Sequence, residues 1–147
     1  MDRQTVAQKI LEAKAAKGLT WAEISAPSDH SECWVVAALL GQATMSQAEA
    51  ETVGNLLDLD EEVVTSLTQI PYRGAEVQMP PTDPLIYRFY EIVMGYGSTF
   101  KELIQEKFGE GIMSAIDFEM DIQKKEDPTG DRVIVTLNGK FLPYKKW

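Results

Sequence analysis

The sequence predicts a mainly helical chain with a small β part at its C-terminal end. Three observations carry this. From about residue 2 to about residue 69, apolar residues recur at helical spacing between N-cap residues and Gly or Pro breakers. A Pro-led, almost wholly apolar stretch follows at 84–96 and reads as a buried helix. From Ile112 the apolar period changes to two, the repeat of a strand.

Taken in order, Val6, Ile10, Leu11 and Ala13 mark a helix from about Asp2 to Lys17, which Gly18 ends. Thr20 with Glu23 forms a capping box that opens a short helix at Trp21–Ile24, and Pro27 stops it. Ser31–Leu40 is a third helix, ended by Gly41. Ser46 and Glu49 make a second capping box for a helix over Ala48–Leu57. Asp60 caps a fifth, running to about Gln69, and Pro71 closes the series. Residues 71–83 read as a linker, with Pro71, Gly74, Pro80 and Pro81 as breakers.

Asp83 and Pro84 then start the central helix, as N-cap and first helical residue. Leu85, Ile86, Tyr87, Phe89, Tyr90, Ile92, Val93, Met94 and Tyr96 leave it apolar nearly all round. Its charged residues over this stretch are Arg88 and Glu91, three apart and so on one face, which Gly95 continues. Spacing alone leaves two readings open. One is a local structural ion pair. The other is an anion site, in which the planar Arg88 fork takes a small oxyanion and Glu91 fixes the fork.

Gly95-Tyr-Gly-Ser-Thr99 lacks the Gly-Lys-Ser/Thr of a phosphate loop, and Thr99 with Glu102 reads as a capping box for a further helix through Phe108. Beyond it, Ile112, Ser114, Ile116, Phe118 and Met120 share one face of a strand. Ser114 is thus a hydroxyl on an apolar face, where lacking a partner would cost about 1–3 kcal/mol. Asp127–Asp131 is a turn, Arg132–Leu137 a strand, Asn138-Gly139 a two-residue hairpin signal and Lys140–Leu142 a short last strand. So few strands are not stable alone with an apolar face uncovered, so this part is expected to pair with another subunit.

The charge is uneven. Residues 1–76 hold twelve acids against five bases, a net of −7, and the rest holds eleven against nine, a net of −2. Such a surface repels nucleic acid and anionic membranes, and an anion site within it must be locally positive, as Arg88 would make it. No apolar run is long enough to span a bilayer, and the polar, amphipathic start is not a secretory signal. Cys33, the single cysteine, reads as a buried thiol without a catalytic motif and fits a reducing cytoplasm. His30, the single histidine, reads as solvated, and excludes a histidine triad or a histidine metal cluster. No metal-ligand spacing and no Gly-rich nucleotide fingerprint occurs, so no metal or cofactor is expected.

The five N-terminal helices resemble a repressor-type helix-turn-helix domain. The segment in the recognition-helix position, Ser31–Leu40, offers no Arg, Lys, Asn or Gln to read bases or grip phosphate. A packing or assembly role is therefore preferred to DNA binding. The run Pro81-Thr-Asp-Pro-Leu-Ile-Tyr-Arg-Phe-Tyr-Glu91 resembles the signature of the cyanases, or cyanate hydratases. So do Glu106–Phe118 and Asn138–Pro143, and upstream Ala37–Gln42 and Ile70–Gly74. The connection Ser25-Ala-Pro-Ser-Asp-His30 departs from the family pattern, where small residues and Gly are usual.

The resemblance implies a helical domain over 1–76 and an α+β catalytic and dimerisation domain over 77–147. It implies Arg88, Glu91 and Ser114 as site residues, and cyanate and bicarbonate as substrates. It also implies C-terminal strands interlocked in a dimer, with five dimers making a decamer. The rival reading is a transcriptional regulator with a helix-turn-helix head and an anion-sensing, dimerising tail. A non-catalytic oligomeric scaffold is a third.

Overall fold

A computed structural model describes residues 1–74 and 79–146. It is mainly helical, with six α-helices followed by two strands among the described residues. The helices are α1 (Arg3–Lys17), α2 (Trp21–Ser25), α3 (Glu32–Leu39), α4 (Gln47–Leu57), α5 (Glu61–Leu67) and α6 (Pro84–Phe108). The strands are β1 (Gly111–Lys125) and β2 (Arg132–Pro143), paired in one two-stranded sheet.

The chain divides into two compact units, each discontinuous in sequence. One is Met1–Gly74 with Met120–Thr136; the other is Ala75–Glu119 with Leu137–Trp147. The boundary expected between 76 and 77 lies outside the described residues, as does the part of the expected linker at 75–78.

The N-terminal helices begin where their caps dictate. The Asp2 carboxylate accepts from the Thr5 amide at 2.9 Å, and Gly18, at φ 63°, closes α1 in the left-handed region. Both capping boxes form. Glu23 accepts from the Thr20 amide at 2.7 Å, and Glu49 from the Ser46 amide at 2.7 Å. Asp60 stands at the N-cap of α5 but makes no side-chain cap hydrogen bond; its carboxylate takes the Lys9 ammonium of α1 at 3.2 Å. Val6, Ile10, Ile24, Val35, Ala38, Leu39, Leu57, Val63 and Leu67 fill one buried core. Gly54 lets α4 press on α5, since a Cβ there would meet the Val64 side chain at 2.5 Å.

Two local expectations are overturned. Helix α6 runs unbroken through Gly95, Gly97, Ser98 and Thr99, so Thr99 and Glu102 lie inside a helix and do not start one. Each interior glycine costs about 0.5–1 kcal/mol relative to Ala, too little to break a 25-residue helix with a cap at its start. Likewise Asn138-Gly139 is not a turn. It lies within β2, and the chain reverses instead at Pro128-Thr129, where Asp127 accepts from the Thr129 amide at 2.9 Å.

Candidate active site

Helix α6 positions two of the three expected site residues. The Asp83 carboxylate accepts from the amides of Leu85 and Ile86 at 2.9 and 3.0 Å, and Pro84 occupies the first turn. One turn on, Arg88 Nη1 donates to Glu91 Oε2, joining the side chains across one helix face. The pair is open, with the side chains 64 % and 45 % exposed. The Arg88 guanidinium also lies 5.9 Å from the Tyr87 ring centroid. At Gly95 an added Cβ would meet nothing within 4 Å among the described residues.

The expected burial of α6 does not occur within the single chain. No residue of the helix is buried, and Leu85, Ile86, Val93, Met94 and Tyr96 are all more than half exposed. The apolar side chains are there, but among the described residues Tyr87, Tyr90 and Ile104 are only half-buried and the Phe108 ring stacks on that of Phe141, and most of the rest stay open.

Ser114 lies near the start of β1 and is 5 % exposed. Its Oγ accepts from two backbone amides of its own strand, Ile116 at 3.1 Å and Asp117 at 2.9 Å. This answers the question of how a hydroxyl is satisfied on an apolar face. It also accounts for a break in the expected alternation. Ser114 is buried and Phe118 and Met120 are half-buried, but Ile116, on the nominal apolar face, is 81 % exposed. A strand whose amides turn back to a side chain two and three residues before them is not evenly pleated there. Across the sheet, a Cβ built at Gly139 would overlap the Ser114 carbonyl oxygen and lie 2.6 Å from Met113 Cγ.

The chain therefore joins Arg88 to Glu91. Among the described residues, no hydrogen bond or ion pair joins Ser114 to either. A cleft in the same unit is lined by Lys101, Ile104, Gln105, Gly111, Ile112, Met113 and Tyr144, and the three site residues are not in its walls. No group of three or more His, Cys, Asp or Glu placed to hold a metal ion occurs among the described residues.

Two residues given bland readings are engaged differently. Cys33 is half-buried rather than buried. Burial raises its thiol pKa, and the carboxylates of Asp121 and Glu32 push it further up, which suits an inert thiol. His30 is not simply solvated. Its Nε2 lies 2.8 Å from Glu49 Oε1, and its ring stands 4.0 Å from that of Trp34, centroid to centroid. The unusual 25–30 connection is closed locally. Ser25 Oγ donates to the Trp21 carbonyl at 2.8 Å, and Ser28 Oγ accepts from the His30 amide at 3.1 Å.

Comparison with known proteins covers the whole chain. Residues 3–71 match the N-terminal domain model of cyanate hydratase, and residues 78–146 match the cyanate lyase C-terminal domain model. The chain is 54 % identical to the cyanate hydratase of Dechloromonas aromatica and 53 % identical to that of Thiobacillus denitrificans, over the full length of both partners. It is 52 % identical to the cyanate hydratase of a Synechococcus strain, covering 97 % of this chain and 95 % of that one. The crystal structure of cyanase from T. urticae superposes with a TM-score of 0.84 at 40 % identity, covering 94 % of this chain and 96 % of that one.

Proposed function

This chain belongs to the cyanate lyase (cyanate hydratase) family, and from that premise we propose that it is a bicarbonate-dependent cyanate hydratase acting through Arg88, Glu91 and Ser114. Cyanate, bicarbonate and a proton give carbamate and carbon dioxide; carbamate takes up a second proton and falls apart to ammonia and carbon dioxide. The observation that carries this reading is the full-length match to both halves of relatives bearing that name.

The residues make the chemistry physically sensible. Both substrates are small anions that repel one another. An Arg88 fork neutralises charge and binds oxygen pairs, and Ser114 supplies a hydroxyl to a bound oxygen. Glu91, already joined to Arg88, holds the fork in place. Much of the rate then comes from orienting two bound anions beside each other. No metal or organic cofactor is assigned, and bicarbonate acts as co-substrate.

The proposal extends to the assembly: a homo-oligomer, specifically a decamer built as a pentamer of dimers, in the cytoplasm. Its support is α6, no residue of which is buried among the described residues, and the single Cys33, which suits a reducing compartment. The regulator alternative is not favoured. The third helix carries Glu32 and no base-reading side chain, and the relatives that match in full are named as enzymes.

The test is ammonia release from cyanate, with and without bicarbonate and with and without a chelator. Ammonia should appear only when bicarbonate is present, and the chelator should have no effect. Equal rates in bicarbonate-depleted buffer, or loss with chelator restored by added metal, would overturn the mechanism.

A further inference from the structure

We propose that Gly139 is a positioning residue for Ser114, and that Ser114 meets a bound anion as a hydrogen-bond donor only; the proposal rests on the site assignment above. A serine hydroxyl has one proton to donate and two lone pairs to accept with. In β1 both acceptor positions are occupied, by the amides of Ile116 and Asp117 at 3.1 and 2.9 Å. What remains is the O–H proton. Two N–H dipoles aimed at Oγ polarise that O–H and make it a stronger donor. An acceptor-rich anion is the ligand that such a group fits. A base or nucleophile would need a free lone pair on Oγ, and none is left.

The arrangement depends on the backbone of Ser114 staying where it is, because the hydroxyl must reach forward to both amides at once. The neighbouring strand limits that backbone. A Cβ at position 139 would overlap the Ser114 carbonyl oxygen and also crowd Met113 Cγ, at 2.6 Å. Met113 has flexible bonds and could swing away. The Ser114 carbonyl is backbone and has no such freedom, so a side chain at 139 must push it and the 139 backbone apart. Gly139 is required by close approach, not by its dihedral angles. Its role in the sequence reading, half of an Asn-Gly turn, is not the one that it has.

The experiment uses the full-length protein and four forms: parent, Gly139→Ala, Ser114→Ala and the double variant. A fifth, Gly139→Ala with Met113→Ala, removes the side-chain half of the clash and keeps the carbonyl half. Helicity and melting temperature establish that each is folded, and cyanate turnover is then measured. We expect Ser114→Ala to lower kcat by roughly a hundredfold and Gly139→Ala by at least roughly tenfold, with or without Met113→Ala. In the Ser114→Ala background, adding Gly139→Ala should cost less than about twofold, because the group that it positions is gone. Amide exchange at Ile116 and Asp117 should speed up in both single variants.

Losses that multiply in the double variant would overturn the proposal, as would near-normal turnover of Gly139→Ala. So would failure of both Gly139→Ala forms to fold, since Gly139 would then serve the sheet as a whole. Full turnover by Ser114→Ala would instead remove Ser114 from the site, and with it the reading on which this one rests.

Discussion

The N-terminal bundle and the C-terminal pair of α6 and hairpin are made from similar fractions of apolar residue but use them oppositely. In the bundle, residues such as Ile10, Leu39, Ala50 and Leu67 reach zero exposure within one chain. In α6 no residue is buried, and in the hairpin Ser114 is the only described residue that is. A fully buried Leu or Ile contributes about 1.5–3 kcal/mol, so the bundle carries its own stability. The C-terminal part does not, and all three proposed site residues lie in it. The buried core and the three proposed site residues thus lie in different stretches of the sequence, and α6 and the hairpin leave most of their apolar side chains exposed in one chain.

Four results would break or sharpen that contrast, from the largest expected effect to the smallest. Val93→Asp puts a charge on the uncovered face of α6. It should abolish the proposed assembly in analytical ultracentrifugation while the bundle keeps its helical signal. An unchanged sedimentation coefficient would mean that this face is not covered.

Next, Arg88→Lys retains charge but loses the planar fork. It should cost roughly a hundredfold or more in kcat/KM and leave the melting temperature nearly unchanged, because an exposed ion pair contributes at most about 1 kcal/mol. Near-normal turnover would return Arg88 and Glu91 to a structural role.

Leu39→Ala belongs to the other region. It should lower stability by about 2–5 kcal/mol in denaturant titration while sparing the turnover of the molecules that remain folded. A loss in turnover per folded molecule, without a loss in stability, would contradict the division.

The smallest effect concerns the α4 capping box. The hydroxyl and amide of Ser46 hold the Glu49 carboxyl below its usual pKa, helped by His30. A folded-state value below the unfolded one adds stability that is present above the unfolded pKa and lost as pH falls through the folded value. Ser46→Ala should cost about 1 kcal/mol near neutrality, and the difference from the parent should shrink in acid. A difference constant with pH would mean that Glu49 is not the group involved.

The same contrast governs what could be read from the sequence. Helix starts in the bundle were legible because caps are local: Thr20 and Ser46 each bond the amide three residues on, though Asp60, read as a cap as well, makes no such bond. The C-terminal errors share one cause. Gly95, Gly97 and Gly139 look like breakers or turns by composition, yet sit inside regular elements. At Gly139 the reason is the Ser114 backbone, and approach across space leaves no local pattern; at Gly95 and Gly97 an added Cβ would meet nothing within 4 Å, and the helix simply runs through them. The turn at Pro128-Thr129 was legible because it too is local: Asp127 bonds the amide two residues on. Arg88 and Glu91 were legible as a pair because three-residue spacing is a helix contact. The proposed place of Ser114 beside them left no such pattern, since among the described residues no hydrogen bond or ion pair joins it to either.

The most direct test asks whether one site draws on two chains. Arg88→Ala and Ser114→Ala proteins are unfolded together, refolded, shown by mass spectrometry to form mixed oligomers, and assayed for ammonia release. If Arg88 of one copy works with Ser114 of another, some contacts in the mixture carry an intact pair, and activity should rise clearly above that of either variant refolded alone. Confirmed mixing with activity at the single-variant baseline would place Arg88 and Ser114 of each site in the same chain and contradict the account.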